Sequence, residues 1–174
     1  MPLFLRLATV IVALTLAAPG FADAATDDLR PRFDHLSNNG NSNCSMEFMQ
    51  SIATGLQGGR LQGSCCSPMA FDHYVEQIEG LRAYSSIPEI PSDPYDIGAS
   101  LARALLILDA TTLSDADQAT FDQALQLAEE GGPCCCRCWR WSVYSGLAKR
   151  LIRDRGFDAE QIAEVWDLSS GCGS

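Results

Sequence analysis

Histidine is nearly absent from this chain: two residues, His35 and His73, serve a sequence of 174. With so few imidazoles, and with no G-x-S-x-G and no H-E-x-x-H, neither a serine-hydrolase nor a zinc-peptidase constellation can be assembled. Glycine-rich phosphate loops are missing, and carboxylates are so common that no pair stands out as acid and base. Alternating strand patterns and internal repeats are also missing, which leaves a helical class. These absences lean away from an enzyme.

One apolar run is present, Leu7 to Ala18, preceded by Arg6 and followed by the small-residue ending Ala22-Asp23-Ala24. It reads as a secretory signal peptide over residues 1–24, with cleavage expected before Ala25. The run is shorter than the roughly 20 residues a spanning helix needs, and Pro19-Gly20 interrupts it, so a membrane anchor is not expected. No cysteine stands at the cleavage point to take a lipid, and no Arg-Arg pair precedes the run. A soluble secreted or periplasmic product follows, folded outside the cytoplasm, where a cytoplasmically assembled iron–sulfur cluster is not expected.

The full chain carries a net charge of −10. A surface of that sign repels nucleic acid and anionic membranes, so neither is an expected partner. Six bases fall between Arg137 and Arg155, whereas residues 109–130 hold acids and no base, so the two stretches are expected to satisfy each other.

The expected architecture is an all-α compact bundle of about five to six helices, cysteine-rich, in a single domain over residues 44–174. Residues 25–43, rich in turn formers, read as an extended or mobile N-terminal arm. Helical patterns then cover 44–56; a segment from Ser67-Pro68 to about Tyr84; a segment from near Pro94 through Leu108; 114–130, opened by Ser114 as cap; 133–155, closed by Gly156; and a short last helix opened by Asp158 with Gln161 as a capping-box pair. Between the second and third, Pro88, Pro91 and Pro94 enforce an extended crossing loop.

What the chain does possess is sulfur. Its eight cysteines are Cys44, Cys65, Cys66, Cys134, Cys135, Cys136, Cys138 and Cys172, four of them within the five residues C-C-C-R-C. An even number in an exported chain allows a disulfide framework with 105 complete pairings. Neighbouring cysteines diverge and rarely bond each other, so the 134–138 cluster needs partners outside itself, and Cys44, Cys65, Cys66 and Cys172 supply four for four. Either reading of the sulfur therefore brings the turn at 65–66 against 134–138.

The three methionines beyond the initiator, Met46, Met49 and Met69, each lie within five residues of a cysteine. Thiolate, thioether and imidazole together select Cu(I) over harder cations, whereas Met at helical spacing is also ordinary core filler. Cys65, Cys66, Met69, His73, Cys134, Cys135, Cys136 and Cys138 are thus the candidate metal ligands, for copper first, with zinc possible at a four-sulfur site. The function expected is soft-metal binding, most of all copper handling, with a metal donor or acceptor protein as the natural partner. A disulfide-stapled structural or interaction module without metal is the alternative. Thiol–disulfide redox chemistry is a third reading, resting on cysteines in the first turn of a helix beside Arg137 and Arg140.

Overall fold

The computed structural model describes residues 21–55 and 59–173, with side chains described from residue 28. Residues 1–20, which hold most of the expected signal peptide, lie outside the described residues. Among the described residues there are seven α-helices: α1 Phe21–Asn39, α2 Met46–Thr54, α3 Phe71–Leu81, α4 Ala99–Leu108, α5 Asp115–Leu127, α6 Trp139–Arg155 and α7 Ala159–Leu168. A short antiparallel pair, β1 Arg60–Gln62 and β2 Asp96–Gly98, joins the first half of the chain to the second, with Leu61 opposite Ile97.

Helix α6 is the axis. Trp139, Val143, Tyr144, Leu147, Ala148 and Leu151 are all buried, so the helix is enclosed on most sides. Its closest neighbour is α4. A Cβ at Gly146 would land on the Leu105 carbonyl, and only glycine lets the two backbones approach this far. Helix α7 closes the other side, where the Trp166 indole donates to the Tyr144 carbonyl at 3.1 Å and packs edge-on against Phe121 of α5.

Capping chemistry sets several boundaries. Ser114 accepts from the Asp117 amide at 3.2 Å at the start of α5, and Asp158 and Gln161 complete a reciprocal capping box at α7. Gly156 ends α6 with φ 67°, in the left-handed region that glycine enters without penalty.

Three expectations require correction. The stretch 25–43 is not an extended arm: it lies largely within α1, which buries Phe33 and Leu36 in a second, smaller core with Tyr74, Ile78 and Tyr95. Two apolar residues three apart suffice once a partner surface exists, although they are too few to register as periodicity. That helix also takes the count beyond the expected five to six. Secondly, α3 starts at Phe71, not at Pro68, because the segment 64–68 is held instead by the C-terminal stretch, with the Ser67 amide donating to the Cys172 carbonyl at 2.9 Å. Thirdly, α6 starts at Trp139. Gly131 and Gly132 both adopt positive φ, and residues 133–138 form a non-helical loop.

The bases of α6 are satisfied internally, but not chiefly by α5. Arg155 and Arg150 reach Glu89 of the proline-rich loop at 2.8 and 3.7 Å, and the Lys149 ammonium donates to the Thr111 carbonyl at 3.1 Å. None of the described helices is long and apolar enough to cross a membrane.

Candidate metal centre

Loop 133–138 can stay irregular because it is pinned rather than coiled: Cys134 is bonded to Cys172 in a disulfide that spans 38 residues, and Cys138 becomes the residue before α6. Opposite it, segment 64–68 lies against residues 171–173 through backbone hydrogen bonds to Gly171 and Cys172 and a bond from the Ser67 hydroxyl to the Gly173 carbonyl, which carries Cys65 and Cys66 to the same place. Cys44 arrives from the segment just before α2, where Ser45 caps the helix by accepting from the Phe48 amide at 3.1 Å.

The result is one sulfur cluster. The Cys44 sulfur lies 3.2 Å from that of Cys66 and 3.5 Å from that of Cys136, and Cys66 and Cys136 are 3.5 Å apart. Cys65 extends the chain, 3.7 Å from Cys66 and 4.0 Å from Cys138. Cys135 joins through Cys66, Cys136 and Cys172, whose sulfurs all lie within 4.8 Å of one another. For comparison, tetrahedral sulfurs around an ion at about 2.3 Å stand about 3.8 Å apart. With Cys172 committed to the disulfide, the free sulfurs of these groupings could hold a metal ion. Six of the cysteines are free thiols.

Acidities within the cluster diverge because the thiols donate to one another. Hydrogen bonding from Cys65 holds the Cys138 thiol down at about 5 against its partial burial, helped by the backbone amides of Arg140 and Trp141 at the start of α6. As the donor in that pair, with burial adding to the effect, Cys65 is pushed far up. Partial burial pushes against ionisation of Cys66, but hydrogen bonds from Cys44, Cys136, Cys65 and Cys135 outweigh it and lower its pKa. Cys44 rises to about 11 through burial and its bond to Cys66, and Cys136 is raised by the same two causes. Without metal, ionisation is therefore favoured at Cys138 and Cys66 and disfavoured at Cys65, Cys44 and Cys136, which donate to them.

Behind the cluster sits a wholly buried arginine. The Arg140 guanidinium donates to the Gly63 carbonyl at 2.9 Å and to that of Pro94, lies 4.7 Å over the ring of Trp139, and has no carboxylate in ion-pair contact among the described residues. Gly171 makes room for it, since a Cβ there would land on the guanidinium. Its field favours ionisation of Cys65. In front, an open depression of about 320 Å³ lined by Ser37, Ser64, Cys65, Cys66, Ser67 and Pro68 gives solvent a path to the sulfurs.

The remaining sequence candidates are not brought into the sulfur contacts, and among the described residues His73 belongs to none of the groups sized for a metal ion. The Met69 sulfur accepts a long contact from the Ser37 hydroxyl at 3.7 Å, and the side chain packs on the smaller core. His73 lies on α3, 4.0 Å from Glu76, and lines a recess with Glu129, Glu130, Asp167 and Cys172. Of the two outer disulfide partners expected from the sequence, Cys172 is one, bonded to Cys134, whereas Cys44 is a free thiol in the cluster; its supply as a remaining sulfur was the available signal. The helical placement of Cys134 and Cys138 four residues apart on one face does not hold, because 133–138 is a loop and Cys134 is committed to the disulfide; the helix-start setting invoked for redox reactivity is lost for Cys134, Cys135 and Cys136 and survives only at Cys138, the residue before α6.

No protein-family model matches the chain, and no match to a curated protein or a solved structure was found. The centre must be read from its own chemistry. It is a cysteine-rich cluster with one disulfide and several overlapping groups of sulfurs able to hold metal.

Proposed function

We propose that this chain binds soft metal through thiolates, with Cu(I) as its ion, and handles copper in a secreted or periplasmic setting together with a metal donor or acceptor protein. The observation that carries the reading is the convergence of six free cysteine sulfurs from three separate segments into one cluster. Thiolates in such number favour Cu(I) and zinc over hard cations, and a path to solvent allows ligand exchange. The 1–24 leader pattern supports export, and the net charge of −10 supports a partner that is neither nucleic acid nor an anionic membrane.

The Cys134–Cys172 bond favours a second reading, in which the remaining thiols also oxidise and the module is purely structural. Thiol counting on the denatured, chelator-treated protein purified without reductant decides between them. The metal reading expects about six free thiols per chain, with Cu(I) retained against a competing chelator before denaturation. A count of zero would end it.

Met69 has its own discriminating measurement. Its position against Ser37 and the smaller core favours packing, so Met69→Leu is expected to lower stability by less than about 1.5 kcal/mol and leave Cu(I) and Zn(II) affinities where they were. A fall confined to Cu(I) would instead make the thioether a ligand, because zinc scarcely uses thioether sulfur.

A further inference from the structure

We infer that the centre is polynuclear, with several Cu(I) ions sharing bridging thiolates around the Cys44–Cys66–Cys136 triangle and Arg140 as the buried counter-cation behind them. This rests on the thiolate reading above and specifies what the cluster takes. Six free thiols are more than one ion uses and fewer than two separate four-sulfur sites require. Their arrangement is not a ring around one point. The free thiols fall into two groups, Cys66, Cys135 and Cys136 beside the disulfide sulfur of Cys172 on one side and Cys44, Cys65 and Cys138 on the other, and the 3.2 and 3.5 Å contacts of Cys44 with Cys66 and Cys136 join the two.

Cys66 is the hub, touching Cys44, Cys65 and Cys136 at once. A sulfur in reach of several ion positions is a bridging ligand, and a thiolate has lone pairs enough for two ions. If each thiolate bridges two ions and each Cu(I) takes three thiolates, six sulfurs serve about four ions.

Charge points the same way. Six thiolates around a single Cu(I) would leave a large negative charge in a partly buried site, whereas several monovalent ions bring it close to balance. Four Cu(I) against six thiolates leave about −2, and Arg140 offsets part of it: its guanidinium is enclosed, held only by backbone carbonyls, and without a carboxylate in ion-pair contact among the described residues. A buried cation of this kind needs an anion beside it, and the thiolate cluster is that anion. Each ion that enters displaces the protons of the thiols it binds to bulk buffer, so no electron is transferred and no oxidant is consumed.

The test is an anaerobic titration of the protein, its Cys134–Cys172 disulfide intact, with Cu(I) delivered from a buffering chelator and followed by native mass spectrometry. Metal-free protein and a form with about four ions are expected to dominate at half-loading, with the one-ion form scarce, because shared ligands make the ions load together. Accumulation of a one-ion form that saturates there would overturn the inference while leaving the thiolate reading intact. Failure to bind any Cu(I) would overturn both. Cys66→Ser, at an exposed position, is expected to lower the loading from about four ions to about three while circular dichroism stays helical; an unchanged loading would remove Cys66 from the bridging ligands.

Discussion

At the scale of single residues, the unequal thiols make a titration that can be followed without metal. Cys138 has its folded pKa near 5, depressed from the ordinary value of 9.0, chiefly by the hydrogen bond from Cys65. A depressed acid adds stability that is fully present above its unfolded value and drains away as pH falls, so this contribution is expected to fade between pH 9 and about 5. Cys65, raised, does the opposite and withdraws stability only as pH climbs past 9. Thiolate ultraviolet absorbance of the metal-free protein should therefore rise near pH 5, and Cys138→Ser should lose that step. An absorbance that stays flat until the ordinary thiol range would contradict the arrangement. Cysteine type and number were legible in the sequence, but the split in acidity was not, since it depends on which sulfur donates to which.

Among the elements, the boundaries that the sequence announced are those with a local cause: Ser114 and Asp158 as caps, and Gly156 as a left-handed stop. Those it concealed have a distant one. Pro133 looked like a helix start, yet loop 133–138 is held open by Cys134–Cys172, a tie that no local pattern encodes. Helix α1 exists because α3 offers its two apolar residues a surface. The contact between α4 and α6 gives a sharp prediction at this scale. Gly146→Ala places a methyl on the Leu105 carbonyl, so the helices must separate, and a loss of about 1–3 kcal/mol is expected in a denaturant titration. An unchanged midpoint would mean that the crossing is looser than described.

The proline-rich loop offers a gentler case. Partial burial works against ionisation of Glu89, but its own backbone amide and Arg155, then Arg150, outweigh it and hold the carboxyl below its usual range. Such a group adds stability above the unfolded carboxylate pKa and loses it as pH falls through the folded one. Glu89→Gln should thus destabilise at neutral pH by less than about 1 kcal/mol, the partners being partly exposed, with the difference from wild type vanishing in acid. A difference that persists at low pH would trace the effect to packing instead.

For the molecule as a whole, the sulfur centre is where the ends of the fold meet. Helical class and the approach of residues 65–66 to 134–138 could be read in advance, because four adjacent cysteines force partners from elsewhere. The second core and the buried Arg140 could not, since both arise from surfaces that exist only after assembly. The separations across the centre carry a further consequence, one of timing. Cys44 and Cys136 are 92 positions apart, and Cys65 meets the Gly171 carbonyl across 106, so these are late contacts whose closure awaits the packing of α4, α6 and α7. Until then eight thiols move on a flexible chain, and any ion that arrives early can cross-link the wrong ones as readily as the right ones. Refolding with Cu(I) present from the first moment should give slow, heterogeneous products by native mass spectrometry, while the same ion added after folding should give one species. The order of events would then be part of what the protein needs from its surroundings: a copper donor that meets it only after the chain has closed.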